Sequence, residues 1–382
     1  MLRFITAGES HGPCLTIIIE GLPAGLTIDV DKINQDLARR QQGYGRGGRM
    51  KIEKDTAEIL SGVRFGQTLG SPVTLKISNR DWENWQDRMS VTGPSYGDKV
   101  TNARPGHADL IGTLKYERND VRDILERASA RETASRVAVG AVMKQLLLTS
   151  CGTEIASHVV NIGGVKLNMA ADFSTIKTHG FSDTGCIDSN TETEMKEAIE
   201  IAKQKGDTLG GTFEIIASNV IPGLGTHVQW DRRLDTKMAA ALMSIPAIKG
   251  VEIGEGFAYA NLPGSEAHDE IFYQPDKGYY RHTNHAGGIE GGMSNGEDIV
   301  VRAVMKPIPT LMSPLNSVDI ITKEPVKAST ERSDVCAVPA AAVVGEAMAA
   351  FVLAEAIMEK FGGDNITDLK AAIEQYRLRI NG

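Results

Sequence analysis

Apolar residues recur along the chain in two spacings. β-branched or alternating runs at 15–20 (LTIIIE), 73–77 and 299–304 (IVVRAV) predict strands. Residues 31–42 set Ile33 and Leu37 on one face with Asp31 near the start, which predicts a helix. Helical spacing also joins Ala130, Ala134, Val137 and Ala141 near 126–148, and a further helix is predicted near 231–245. The longest apolar stretch, 335–358, predicts a buried helix that starts near Pro339 and ends before Gly362-Gly363. It is rich in weakly apolar alanine and carries Glu346 and Glu355, each costly at a bilayer centre, so it argues against a membrane span. "GQTLGSPVTLKISN" (66–79) echoes "GDTLGGTFEIIASN" (206–219). Each reads as a glycine turn entering a strand, then a helix, then a second strand (154–164 and 250–260). No Pro/Ser-rich linker or charge block divides the sequence. The pattern predicts one α/β (α+β) domain over 1–382 with an internal duplication, roughly 66–164 and 206–260.

Composition narrows the class. The 382 residues are 41% hydrophobic and 24% charged, as in a soluble globular protein with a core that needs no staple. The cysteines Cys14, Cys151, Cys186 and Cys336 form no C-x-x-C, and "MLRFITAGES" lacks the long apolar stretch of a signal peptide. Both observations lead us to expect a cytoplasmic protein. A net charge of −8 argues against general nucleic-acid binding, so an anionic ligand must be drawn by a local basic cluster.

Three motifs mislead. Gly8-Glu9-Ser10-His11-Gly12 matches the G-x-S-x-G nucleophile elbow, but that device needs a helix after the serine, and here a strand follows Pro13. "GYGRGG" (43–48) matches the dinucleotide fingerprint but follows a helix rather than a strand. "HTNH" (282–285) lacks a third plausible metal ligand nearby, and no metal is expected.

What remains is a set of glycine- and proline-rich loops bearing charge. "ARRQQGYGRGGRMK" (38–51) holds Arg39, Arg40, Arg46 and Arg49, whose planar forks suit phosphate or carboxylate. "ARPGHADL" (103–110) sets Arg104 and His107 around a Pro-Gly turn, and "ERASARETASR" (126–136) sets Arg127 and Arg131 on one helical face near Ser129. "MKPIPTL" (305–311) roots Lys306 before two prolines. "ERSDVCAVP" (331–339) places Arg332 and Asp334 ahead of the apolar helix, where Asp334 could equally be an N-cap. Five such loops in an acidic protein point to an enzyme acting on a small, multiply anionic substrate, with His11 and His107 as acid/base candidates.

These stretches resemble the chorismate synthase family. "TAGESHGP", "RRQQGYGRGGRMKIE", "RPGHADL", "ERASARETASRVAVGA", "GVEIGEGF", "GGIEGGMSNG", "VMKPIPTL" and "ERSDVCAVPAAAVVGEA" stand in the family's order from the first residues to about 350. The resemblance implies a β-α-β sandwich with pseudo-symmetry and a homotetramer. It implies the 1,4-elimination of phosphate from 5-enolpyruvylshikimate 3-phosphate to give chorismate, with reduced FMN required and no net redox change. It further implies that Ser10, Arg40, Arg46, Arg49, Arg131 and Arg332 bind substrate, and that His11 protonates the leaving phosphate. By the same resemblance His107 donates towards the N1/O2 edge of the flavin, and Asp334 assists removal of the C6 proton. The flavin contacts implied are Arg104, Arg127, Ala128, Ser129, Pro246, Ala247, Gly291, Arg332 and the run Lys306, Pro307, Ile308, Pro309 and Thr310. Pro246 stands where many members carry Asn, and proline has no N–H to offer. With no dinucleotide fingerprint in valid context, NADPH is expected to act only indirectly, through a separate flavin reductase. No nucleic-acid or membrane partner is expected.

Overall fold

Two antiparallel sheets organise the residues that the computed structural model describes, 1–47, 53–94, 96–180, 182–275, 278–331 and 333–381. The first contains β1 (Arg3–Ala7), β2 (Cys14–Glu20), β3 (Ala57–Ser61) and β4 (Val73–Ser78), in the spatial order β1-β2-β4-β3. The second contains β5 (Glu154–Ile162), β6 (Gly211–Ser218), β7 (Ile248–Ile253) and β8 (Ile299–Met305), ordered β5-β6-β8-β7, with a short strand Val165–Lys166 beyond β5. Helices α1 (Val30–Gln41) and α2 (Thr133–Cys151) follow β2 and β4, as α3 (Leu234–Met243) and α4 (Val338–Phe361) follow β6 and β8. Apart from inserted elements such as the helices Phe173–His179 and Ser189–Gln204 between β5 and β6, and the short helices Asp109–Lys115 and Arg122–Ala128 before α2, each half runs β-β-α-β-β-α, and both sheets have one strand order.

Alternation sets the faces. Leu15, Ile17 and Ile19 of β2 and Val73, Leu75 and Ile77 of β4 point inward, as do Phe213, Ile215 and Ala217 of β6 and Ile299, Val301 and Ala303 of β8. The helices fill the space between the sheets, α2 against β1, β2 and β4, α4 against β5 and β6, and α2 against α4. This is the sheet–helix–sheet sandwich expected from the sequence. The last helix, α5 (Ile366–Asn381), packs on α2 and α4. Because α4 is enclosed on most sides, it reads apolar all round; it is the centre of the molecule rather than a membrane span.

The α2–α4 crossing depends on Gly140. A Cβ built there would lie 2.2 Å from Cβ and 2.3 Å from Cα of Ala347, so the backbones touch. We expect Gly140→Ala to destabilise by about 1–3 kcal/mol through overpacking, seen as a lower midpoint of chemical unfolding. An unchanged midpoint would show that the helices can separate without penalty.

Two expectations are corrected. The strands of the sequence echo, β4 and β6, are the fourth strand of one half and the second of the other, so the echo marks non-equivalent positions. The topological repeat has other boundaries: β1 to α2, then β5 to α4. The helix expected over 126–148 is broken. A short helix Arg122–Ala128 ends where Ser129 turns extended (φ −66°, ψ 143°), its hydroxyl accepting from Arg131 N, before a turn of 3-10 helix and then α2. Arg127 and Arg131 consequently do not share a face.

The connections from fourth strand to second helix, residues 79–132 and 306–337, are topological equivalents and lie against each other. Asn102 bridges to Asp319, Ser317 donates to the Ala103 carbonyl, and Arg104 Nη1 donates to Thr310 Oγ1 at 3.0 Å. Between them they carry most of the charged loop residues singled out above.

Candidate active site

The loop 8–13 joins β1 to β2, so the serine of the apparent elbow lies in a strand–turn–strand, not before a helix. Gly8 has φ +112°, and a Cβ on it would meet the Cys14 carbonyl at 2.4 Å, so glycine is required there. Ser10 is buried; its N–H donates to the Glu126 carbonyl (3.0 Å) and its hydroxyl to Ser129 Oγ (3.1 Å). His11 turns its Nδ1 away from Ser10, onto Glu126 Oε1 and Oε2 at 2.9 and 3.0 Å.

Glu126 also accepts from the His11 backbone N–H (2.8 Å) and from Arg122 Nη1 (2.8 Å). Burial would raise its carboxyl, yet the His11 and Arg122 hydrogen bonds outweigh that and hold it below the ordinary carboxylate range. The His11 ring stacks on Trp85 at 4.0 Å between centroids, and the Arg122 guanidinium lies 4.8 Å over the same indole.

His107 repeats this design. Its Nδ1 faces Asp109 Oδ1, while Arg104 Nε and Nη2 donate to the same carboxylate at 2.8 and 3.1 Å. Asp109 is fully buried; burial pushes it up, but His107 and Arg104 hold it well below the usual range. In both triads a carboxylate shared with an arginine takes Nδ1, and Nε2 makes no hydrogen bond among the described residues.

The arginines lie beside the His11 triad. Arg131 Nη1 holds Asp55 at 2.6 and 2.7 Å and its Nε donates to Asn79 Oδ1 (2.9 Å), while Asn79 Nδ2 ties the carbonyls of Glu9 and Gly12. Arg40 donates to Thr133 Oγ1, the Ala130 carbonyl and Asp55. Burial, with Arg131 and Arg46 nearby, pushes its guanidinium down to about 10 against the pull of Asp55, so it stays charged at neutral pH. Arg131 Nη2 is buried with no partner among the described residues, a donor left over for an anionic oxygen. Asp334 does not cap α4, whose N-cap is Ala337; it accepts from Arg46 Nη1 (2.8 Å) and Gly47 N (2.6 Å). Arg49 and Arg332 lie outside the described residues.

Hydrogen bonds link this cluster to the His107 loop. Val335 N donates to the Gly45 carbonyl, Leu209 N to the Val335 carbonyl, and Thr208 Oγ1 to the Ile308 carbonyl (2.8 Å). Lys306 Nζ donates to the Gly106 carbonyl (2.6 Å), and Lys306 N to the carbonyl of Ala247, which has φ +70°. Burial, then Lys249, pushes the Lys306 ammonium below its ordinary range. Thus Arg104, His107, Ala247, Lys306 and Thr310 come together, with Pro307, Ile308 and Pro309 between the last two. Pro246 adjoins them in the α3–β7 turn. Arg127 is exposed and donates to the carbonyls of Gly8 and Thr6, with Ala128 beside it. Gly291 sits apart, in the turn whose Gly292 carbonyl accepts from Leu234 N, with open space where its Cβ would be.

Sequence reasoning passed over Asp55, Asn79, Trp85, Asp109, Arg122 and Glu126. Asp109 and Glu126 stand inside the quoted motifs, and Arg122 and Glu126 carry an i,i+4 pair signal. His282 packs on Phe272 and Tyr280, and His285 pairs with Glu255.

Residues 2–358 match the family model "Chorismate synthase". A Sulfurihydrogenibium protein named chorismate synthase is 59% identical, with 99% of this chain and 98% of the relative covered. Another, from Geobacter sulfurreducens, is 58% identical with 98% of each covered. A crystal structure titled as that of chorismate synthase superposes with a TM-score of 0.81 at 47% identity, covering 100% of this chain and 98% of the other.

Proposed function

Because the chain belongs to the chorismate synthase family, a lyase family of aromatic amino acid biosynthesis, we propose that its two histidine triads and the arginine cluster carry the elimination of phosphate from 5-enolpyruvylshikimate 3-phosphate. The observation that supports this most is Arg131 Nη2, a buried donor with no partner among the described residues, beside Arg40 and the His11 triad.

Arg40, Arg46 and Arg131, with Arg49 and Arg332, hold the carboxylates and phosphate of the substrate. Their counter-ions Asp55 and Asp334 keep the guanidinium forks in place before substrate arrives, so little reorganisation is left for the reaction. His11 passes a proton from Nε2 to the phosphate as its C–O bond breaks, while Asp334 assists loss of the C6 proton; the ring gains a double bond and phosphate leaves.

The donor set around His107 suits FMN. Arg104 and Lys306 offer cations there, Thr310 a hydroxyl, and Ala247 and Pro246 contact; Arg127, Ala128 and Ser129 on the His11 side, Arg332, and Gly291, which sits apart, complete the set proposed for it. Pro246 contributes only contact. When bound, reduced FMN supplies an electron-rich ring at the substrate without net redox change. His107 would offer it a hydrogen bond from Nε2, the ring nitrogen that Asp109 leaves free to face it. A homotetramer in the cytoplasm, served by a separate flavin reductase, completes the proposal.

The test is anaerobic turnover with chemically reduced FMN, following chorismate and phosphate together. Equal release of both, absent with oxidised flavin, is expected. Phosphate alone would mean a hydrolase, and neither product despite flavin binding would overturn the reading. Replacing the chemical reductant by NADPH is expected to give no turnover; a full rate would remove the need for a reductase.

A further inference from the structure

We propose that Glu126 is the positioning residue for His11: it fixes the proton of the imidazole on Nδ1, so that Nε2 is the nitrogen that delivers the proton. This rests on His11 as the proton donor to the leaving phosphate.

The geometry leaves the ring little freedom. Glu126 grips Nδ1 and the His11 backbone N–H with one carboxylate, while the Glu126 carbonyl takes the Ser10 N–H. The loop 8–13 is thereby docked on the end of the short helix Arg122–Ala128 by both side chain and backbone. Trp85 covers a face of the imidazole at 4.0 Å, so rotation about χ2 would lose the stack as well as the hydrogen bonds. A carboxylate at Nδ1 accepts only; the hydrogen must sit on Nδ1, and in the neutral ring Nε2 carries the lone pair. On protonation Nε2 gains the hydrogen that can be given away.

Charges face the pair from several elements. Arg122 shares Glu126 and lies over Trp85, Glu331 meets Arg122 at 3.4 Å, Arg88 lies 5.8 Å from the indole, and Glu9 is in the same loop as His11. Against burial, the hydrogen bonds from His11, and then that from Arg122, hold the Glu126 carboxyl below its ordinary range, so the group at Nδ1 is an acceptor.

Glu126→Gln keeps an oxygen for hydrogen bonding and removes the charge. In the enzyme with reduced FMN and 5-enolpyruvylshikimate 3-phosphate, the kinetic profile is expected to change in kcat, about tenfold lower, with KM within about twofold of wild type. In the His11→Ala background the same substitution is expected to add no loss. An unmoved profile, or additive losses, would overturn the proposal. A separate measurement needs no variant at Glu126: ¹⁵N-histidine spectra of the wild-type holoenzyme, assigned by difference from His11→Ala, are expected to show the Nδ1–H form of neutral His11. The Nε2–H form would overturn it. If His11→Ala itself turns over at the wild-type rate, the donor reading fails; if it is inactive while Glu126→Gln keeps the wild-type profile, only the positioning role fails.

Discussion

His11→Ala is expected to lower turnover by about 10²–10⁴-fold, the usual contribution of a placed general acid. In the proposed reaction the phosphate is a poor leaving group until its charge is met, and Arg40, Arg46 and Arg131 would neutralise it without supplying a proton. Little of the fold depends on the imidazole. Glu126 keeps Arg122 and the backbone N–H at position 11, and Trp85 keeps the Arg122 guanidinium. Binding of FMN and the unfolding midpoint are therefore expected to change little while kcat collapses. Single-turnover release of phosphate under anaerobic conditions separates the chemical step from binding. A variant that releases phosphate at the wild-type rate would remove His11 from the mechanism.

Glu346→Ala is expected to cost about 3 kcal/mol of stability, because it strips the buried counter-charge from the part-buried Arg39 and Lys144. Glu346 is fully buried in α4 and receives Arg39 Nη1 and Nη2 at 2.9 and 2.6 Å, Lys144 Nζ, and the Ser157 hydroxyl at 2.7 Å. One carboxylate thus joins α1, α2, α4 and β5. Asp36, which also meets Arg39 and Lys144, offsets part of the loss. Burial pushes the Glu346 carboxyl up, but Lys144 and Arg39 pull harder and hold it well below its ordinary value. A group whose folded value is depressed contributes fully above its unfolded value. That contribution is lost as pH falls through the folded one. The penalty of Glu346→Ala is accordingly expected to be full at pH 7 and to shrink only in strong acid, measured as unfolding midpoints across that range. A loss below about 1 kcal/mol at pH 7 would show that Asp36 alone carries the cations.

The layers were legible because burial imposes a period. Ile33 and Leu37 face the core of the helix they predict, and the runs at 15–20, 73–77 and 299–304 are central strands. The break at Ser129 was not legible, since "ERASARET" contains no glycine or proline. It exists because the Ser129 hydroxyl caps Arg131 N and because Arg131 must reach Asp55. The duplication was legible in kind but not in place: glycine turns entering strands look alike wherever they stand in a sheet. In the site, residue types announced themselves and partners did not. Arg40 and Arg131 read as anion forks, but Asp55 and Asn79 come to them from distant segments, and no local pattern marks Trp85 as the surface under His11. Asp109, two residues from His107, could have been read as its partner.

The packing of α2 against α4 sets a timetable for the chain as it is made. Helix α2 is complete at Cys151, but α4, whose Ala347 closes on Gly140, begins only at Val338. At about 5–20 residues per second, a ribosome takes roughly ten to forty seconds to cover that interval. Throughout it the nascent chain holds a helix with α1 and its own sheet on one side and nothing yet made for the other, so the two sheets close on each other only with the last stretch of translation.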